Sequence, residues 1–400
     1  MTRRVLSMLW WVVVSLGLAE VGLRAVWMKQ LFIPAGIADS HFHHRLRPNQ
    51  DYHFRSEEFD VVIPTNRFGL RGPDPEMPKP AGVARLLMLG DSFTFGFPVR
   101  DGETFSDLIE QQLNARGMRV EVINGGVSGY SPTLHYVSLR DQFLDFEPDA
   151  VMLWLDFGDP QEDAWFQKNL VYDDQGNILR CDPQYTNGRF DWWELAKNRS
   201  ALAKWANNKI VRTWDKLRVL GVRGYLSAWM RGERAKVAIA RLKASQRSPD
   251  VAESDQFVLV RDSATVDFLQ PQWALTARYL VMSRDLLAER GIPLMLGVYP
   301  YGMLAGPDQW AEGRTAWGFE KGRIYEARAA MELLREFSRT EHIPLVNTID
   351  HFKEAAKAEK LFYDWDGHLT PAGHRVLADD VVDNPLVLST LRAVAGKGER

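Results

Sequence analysis

Short apolar runs alternate with amphipathic ones between residues 83 and 155, and this rhythm restricts the fold more than any other feature of the chain. Residues 83–89 (Val-Ala-Arg-Leu-Leu-Met-Leu) are apolar at nearly every position and stop at Gly90. Such a run suits a strand covered on both faces. Residues 104–116 then place Phe105, Leu108, Ile109 and Leu113 on one helical face, and Gly117 ends the segment. Residues 120–123 read as a second strand, 132–146 as a helix with Pro132 in its first turn, and 150–155 as a third strand. The rhythm resumes with a helix over 273–290, a strand over 293–299, a helix over 322–341, a strand over 344–347 and a closing helix over 371–382. Repeated strand–helix–strand units predict an α/β fold with a parallel sheet and covering helices.

Two stretches break the rhythm. Residues 161–270 carry Trp165, Trp192, Trp193, Trp205, Trp214 and Trp229 and a basic, helical run over 204–243. That is too long for a plain loop, so a Trp-rich helical insertion, or cap, is expected. Residues 28–80 form a polar, proline-rich lead-in, extended at 60–63, with turn chemistry in Asn66-Arg67-Phe68-Gly69-Leu70-Arg71-Gly72. Pro73, Pro75, Pro78 and Pro80 exclude helix there and suggest a stiff connector. The expected α/β domain is therefore split over 81–160 and 271–400.

The N-terminus predicts export. Arg3 and Arg4 precede an uncharged apolar run over 5–19, and apolar character continues to Trp27, interrupted by Glu20 and Arg24. The uncharged part is shorter than the roughly 20 residues of a simple span. Glu20 and Arg24, four apart, can pair on a helix and reach out to the interface. Residues 1–27 read as a signal anchor, a single pass through an inner membrane with the N-terminus cytoplasmic and the rest periplasmic. The competing reading is a cleaved signal peptide, given the small residues Gly17 and Ala19. A net charge of −3 offers no basic field for nucleic acid. The single cysteine, Cys181, excludes an intrachain disulfide. His41, His43 and His44 cluster without an acidic or thiol partner at ligand spacing, so a solvated segment is expected there and not a metal site.

Loops beyond the carboxyl ends of parallel strands are where ligands bind in α/β sheets. The first such loop opens with Asp91-Ser92 at a helix start. Backbone N–H groups there suit the negative charge that forms on an acyl oxygen under attack. Asp and Ser are also favoured helix caps, so this segment alone reads equally as a cap or as a nucleophile. The C-terminal segment Asp366-Gly367-His368 precedes a helix that opens at Pro371. In an extended segment, residues two apart point to the same side. Asp366 is thus placed to orient His368, as the acid of a Ser-His-Asp triad does. His374 falls within the helix and reads as a surface or packing residue, not a catalytic one.

In these segments and their order the chain resembles the SGNH/GDSL hydrolase family. Four matches carry the resemblance: Gly90-Asp91-Ser92, then Asn124-Gly125-Gly126-Val127-Ser128-Gly129, then Gly158-Asp159, then Asp366-Gly367-His368. The Asn66–Gly72 lead-in and the anchor resemble the family's membrane-anchored bacterial branch. The resemblance implies a three-layer, flavodoxin-like parallel sheet. It also implies Ser92 as nucleophile, His368 as base and Asp366 as third member, with no metal or organic cofactor. The oxyanion hole would use the Ser92 N–H and the Gly129 N–H, with Gly126 the alternative glycine. One departure stands out. The family places Gly-x-Asn-Asp after the third strand, and its Asn donates to the oxyanion. Here Phe157-Gly158-Asp159-Pro160 has no Asn. Asp159 is the nearest equivalent, and an ionised carboxylate only accepts. Loss of one donor costs roughly 100- to 1000-fold in rate. The expectation is an extracytoplasmic ester hydrolase or acyl (acetyl) transferase acting on an acylated glycan or small ester. The alternative is a catalytically weakened relative serving as a glycan-binding or assembly partner.

Overall fold

The computed structural model describes residues 3–24, 36–230 and 257–395. Residues 25–27 of the expected anchor, 28–35 of the lead-in and 231–243 of the basic run lie outside the described residues. Helix α1 (Arg3–Gly22) has no buried residue and is long and apolar enough to cross a membrane. Just beyond it, the Arg24 guanidinium donates to the Glu20 carboxylate at 2.8 Å, as the four-residue spacing predicts.

The lead-in is a packed element. Strands β1 (Asp51–Arg55) and β2 (Asp60–Pro64) form an antiparallel hairpin that alternates exposed and buried positions. Tyr52, Phe54, Val61 and Ile63 turn inward, into a cluster with Phe95, Val127 and Tyr130. Arg71, in the turn that follows, is 3% exposed. Its guanidinium donates to the carbonyls of Phe95, Gly96 and Val99 at 3.0, 2.6 and 2.6 Å.

The main domain then follows the expected alternation. In chain order it holds β3 (Ala84–Gly90), α2 (Ser92–Phe95), α3 (Phe105–Ala115), β4 (Val120–Gly126), α4 (Pro132–Asp141), β5 (Ala150–Leu155) and α5 (Asp159–Phe166). After two short hairpins over 170–190 come α6 (Trp192–Arg199) and α7 (Ala201–Met230), so the insertion is part β before it becomes helical. The domain closes with α8 (Val266–Ala288), β6 (Leu294–Val298), α9 (Arg328–Glu341), β7 (Leu345–Asn347), α10 (Pro371–Asp383) and α11 (Pro385–Ala395).

The strands pair in the order β7-β6-β5-β3-β4, all parallel. Read from the β4 edge and counted along the chain this is second, first, third, fourth, fifth, the flavodoxin-like order. Every residue of β3, β5 and β6 is buried, which explains their unbroken apolar runs. Helices α3, α10 and α11 pack together, as do α4, α8 and α9. Helix α3 is held by Thr104, whose side chain accepts the Asp107 N–H, and buries Phe105, Ile109 and Leu113. Helix α9 starts six residues later than the periodicity suggests. Tyr325 is drawn into the core, its N–H donating to the Met303 carbonyl at 2.9 Å, and Ala327 adopts a left-handed conformation.

The switch in strand order falls between β3 and β5. The loops after β3, β4 and β5 therefore meet at one edge, with Gly90 beside Gly126 and Leu89 beside Leu153.

Two buried histidines set an acid limit on this fold. Burial holds His135 and His374 down to about 3, and His374 packs inside with Nδ1 accepting the Phe105 N–H at 3.1 Å. In the folded chain these rings stay neutral while the unfolded chain takes up protons below about pH 6.5. Stability is thus full above about pH 6.5 and is lost as the pH falls from there toward about 3. His135→Phe should flatten that loss by up to about 1.4 kcal/mol per pH unit, read from urea unfolding curves across the same range.

Candidate active site

Asp91 and Ser92 divide the two roles that their segment allows. The Asp91 carboxylate accepts the Phe93 N–H at 2.8 Å and so caps α2. Ser92, the first residue of α2, is left to face His368, with Oγ 2.7 Å from Nε2. The other ring nitrogen, Nδ1, lies 2.5 Å from an Asp366 oxygen. A carboxylate can only accept, so Nδ1 carries the proton and Nε2 is free to accept from the Ser92 hydroxyl. Asp366 also accepts the His368 backbone N–H at 3.2 Å. Burial would raise the Asp366 carboxyl, but the charge and hydrogen bonds of His368 hold it below the usual carboxylate range. Three residues from the two ends of the domain thus form one hydrogen-bonded chain over the edge of β3.

The loop that carries Asp366 and His368 is fixed from several sides. The Tyr363 N–H donates to the His368 carbonyl at 3.0 Å. The Trp310 indole donates to the Trp365 carbonyl at 3.2 Å. Gly367 has φ +92°, and a Cβ there would lie 2.6 Å from the Trp310 ring, so only glycine fits. The His368 ring rests against Phe93 and Phe97, centroids 4.8 and 5.1 Å away. A further contact comes from Glu58, in the turn between β1 and β2. Its two carboxylate oxygens accept the Trp365 and Asp366 N–H groups, each at 3.0 Å. No local pattern in the sequence marks Glu58, because its partners lie more than three hundred residues away.

The loop after β4 approaches α2 closely. The Asn124 amide donates to the Thr94 carbonyl at 2.8 Å, and its oxygen accepts the Gly126 N–H at 3.0 Å. The Gly126 N–H is therefore already engaged. Gly129, half-buried with φ +76°, follows Ser128, whose carbonyl is 2.9 Å from His44 Nε2. A carbonyl only accepts, so His44 donates there and braces the glycine loop. Burial lowers both His43 and His44, His43 to about 3. The expected solvated histidine segment is thus a packed one. Among the described residues no group of three or more His, Cys, Asp or Glu side chains is arranged to hold a metal ion.

Asp159 is engaged with the loop after β5. It is 2% exposed and begins α5, and one of its oxygens accepts the Asp156 N–H at 2.9 Å. Burial, and then the charge of Asp156, push the Asp159 carboxyl well above the usual carboxylate range, and the same two causes raise Asp91. Tyr301 donates its hydroxyl to the Asp156 carboxylate at 2.6–2.7 Å. Laid with its final Asp on Asp159, the pattern Gly-x-Asn-Asp sets its Asn position on Gly158, which has no side chain.

No protein-family model matches the chain, and no curated protein does. Among solved structures, the acetyl xylan esterase AlAXEase is 14% identical, covering 74% of this chain and 96% of its own, with a TM-score of 0.37. A putative lipolytic protein of the G-D-S-L family from Desulfitobacterium hafniense is 10% identical, covering 75% and 98%, at 0.35. The lipase/acylhydrolase from Enterococcus faecalis is 12% identical, covering 78% and 96%, at 0.37. Nothing about activity follows from similarities of this size. The chain's own strand order and side-chain geometry carry what is said of the site.

Removing the two acceptors of Glu58 should loosen the loop that holds Asp366. Glu58→Ala should slow modification of the Ser92 hydroxyl by a fluorophosphonate about 10- to 100-fold, since misplaced catalytic geometry costs on that order. Glu58→Gln, which keeps one acceptor, should fall between the two.

Proposed function

We propose that this chain is a serine ester hydrolase or acyl transferase of the SGNH/GDSL type. It is held at the inner membrane by α1, with its site on the periplasmic side, and acts on an acylated glycan or a small ester. The observation that carries the proposal is the unbroken run of hydrogen bonds from Ser92 Oγ through His368 to Asp366. In the proposed reaction Ser92 Oγ attacks the acyl carbon while its proton passes to His368 Nε2. Asp366 holds the Nδ1 proton and stabilises the imidazolium that forms. The Ser92 and Gly129 N–H groups receive the charge on the acyl oxygen. Gly129 is favoured over Gly126, whose N–H is given to Asn124. Collapse of the tetrahedral intermediate leaves an acyl group on Ser92, and His368 returns the proton to the departing alcohol. Water then gives hydrolysis and a sugar hydroxyl gives transfer.

A fluorophosphonate should label the wild type at Ser92 and leave Ser92→Ala unlabelled, read by intact-mass spectrometry. A wild type that neither labels nor turns over an aryl acetate would sink the proposal.

The absence of an Asn in the loop after β5 favours a second reading, a weakened catalyst kept as a glycan-binding or assembly partner. Gly158 has φ −86° and ψ −15°, a conformation open to any residue. The backbone at Gly158 thus accepts Asn without strain, and a urea unfolding curve of Gly158→Asn checks that the buried position takes the side chain. On the enzymatic reading, an added amide donor should raise turnover of an aryl acetate by about 100-fold. An inert chain that stays inert after this change would point to the binding role.

A further inference from the structure

The end of α1 is tied into the insertion at one point. One Glu20 oxygen accepts the Ser200 hydroxyl and the Leu202 N–H, each at 2.8 Å, and the other accepts the Ala201 N–H at 2.9 Å. Arg24 donates to the Arg199 carbonyl at 2.6 Å. Glu20 therefore caps α7, and the joint between α6 and α7 sits where α1 ends. On either side of that joint lie large apolar side chains facing solvent. Trp192 and Trp193 on α6 are 75% and 51% exposed, and Ile210 and Trp214 on α7 are 69% and 67% exposed. At ~1.5 Å per helical residue, all four lie within about 10–21 Å of Ser200 along their helices. Ile210 and Trp214 are four apart and share a face. The Trp193 indole donates to Asn207 at 3.2 Å, which holds α6 against α7. Arg199 and Lys209 are exposed beside these residues.

We propose that α6 and the first half of α7 rest on a phospholipid bilayer beside α1, with Trp192, Trp193, Ile210 and Trp214 at the headgroup–acyl boundary. This rests on α1 being a membrane span. Exposed aromatic and aliphatic side chains gathered on two packed helices mark an interaction surface. Its place at the foot of an apolar helix selects lipid as the partner. Indole rings favour that boundary, apolar on one side and hydrogen-bonded on the other. Arg199 and Lys209 supply cations for lipid phosphates. Bound in this way, the α6–α7 joint fixes the tilt of the insertion to the membrane plane, beyond what a single tether does.

The test is site-directed spin labelling of the full chain in vesicles of phosphatidylcholine and phosphatidylglycerol. Labels are attached to Trp192→Cys, Trp214→Cys, Val13→Cys and the aqueous control Asp174→Cys, while Cys181 is buried and free. Fluorophosphonate labelling of each variant checks folding. The expected result is a several-fold higher ratio of oxygen to water-soluble relaxant collisions at 13, 192 and 214 than at 174. Lipid contact at 13 with water at 192 and 214 would overturn this inference alone. Water at 13 would overturn the span, and with it this placement.

Discussion

The candidate site depends on two glycines that leave room where a Cβ would not fit. A Cβ on Gly126 would lie 2.2 Å from the Phe95 nitrogen, and one on Gly90 would lie 2.1 Å from the Tyr299 hydroxyl. Their absence lets the short helix α2 sit down on the ends of β3 and β4. Asn124 then bridges the two loops, and Arg71 binds the far end of α2 through three carbonyls. Ser92 is thus set on a turn clamped from both sides. Rigidity of this kind is what an attacking hydroxyl needs, because a displacement of about 1 Å is costly.

The acids beneath this turn obey a second constraint. Asp91, Asp156 and Asp159 lie close enough for their charges to be felt by one another, and Asp91 and Asp159 are fully withdrawn from water. Like charges in such a place cannot all be ionised. Burial and the Asp156 charge raise the carboxyls of Asp91 and Asp159, and the Tyr301 hydroxyl donates to Asp156. Asp159 on this view is a neutral structural acid that holds the Asp156 backbone. It is the residue at which an amide donor was expected. A sequence pattern cannot separate these two roles, because the difference lies in which backbone group the carboxyl meets.

What was legible in the sequence follows the same division. The core strands were readable because β3, β5 and β6 are buried on both faces, so that nearly every residue is apolar. Ser92, Asp366 and His368 were readable because each sits in a short local motif at a helix start. Of the hairpin β1–β2 only β2 was, as the extended run 60–63; its partner and its packing were not, since alternating burial over five-residue strands looks like a polar lead-in when the surface it covers is unknown. The two small hairpins over 170–190 escaped for the same reason. Glu58 was invisible on principle: its function lies in two N–H groups at the opposite end of the chain.

These unread parts share a feature. The lead-in reaches the loop of Asp366 through Glu58, the His44 ring braces the glycine loop, and Arg71 holds the end of α2. All three come from residues 44–71, which precede the first strand of the main sheet. The α/β domain therefore contributes the strand ends and the side chains of Ser92, Asp366 and His368, while the segment between α1 and the domain immobilises the loops that bear them. Deleting that segment as a linker would remove the supports of all three loops at once. A site built in this way is coupled to its N-terminal region by hydrogen bonds and packing, and not merely tethered to it.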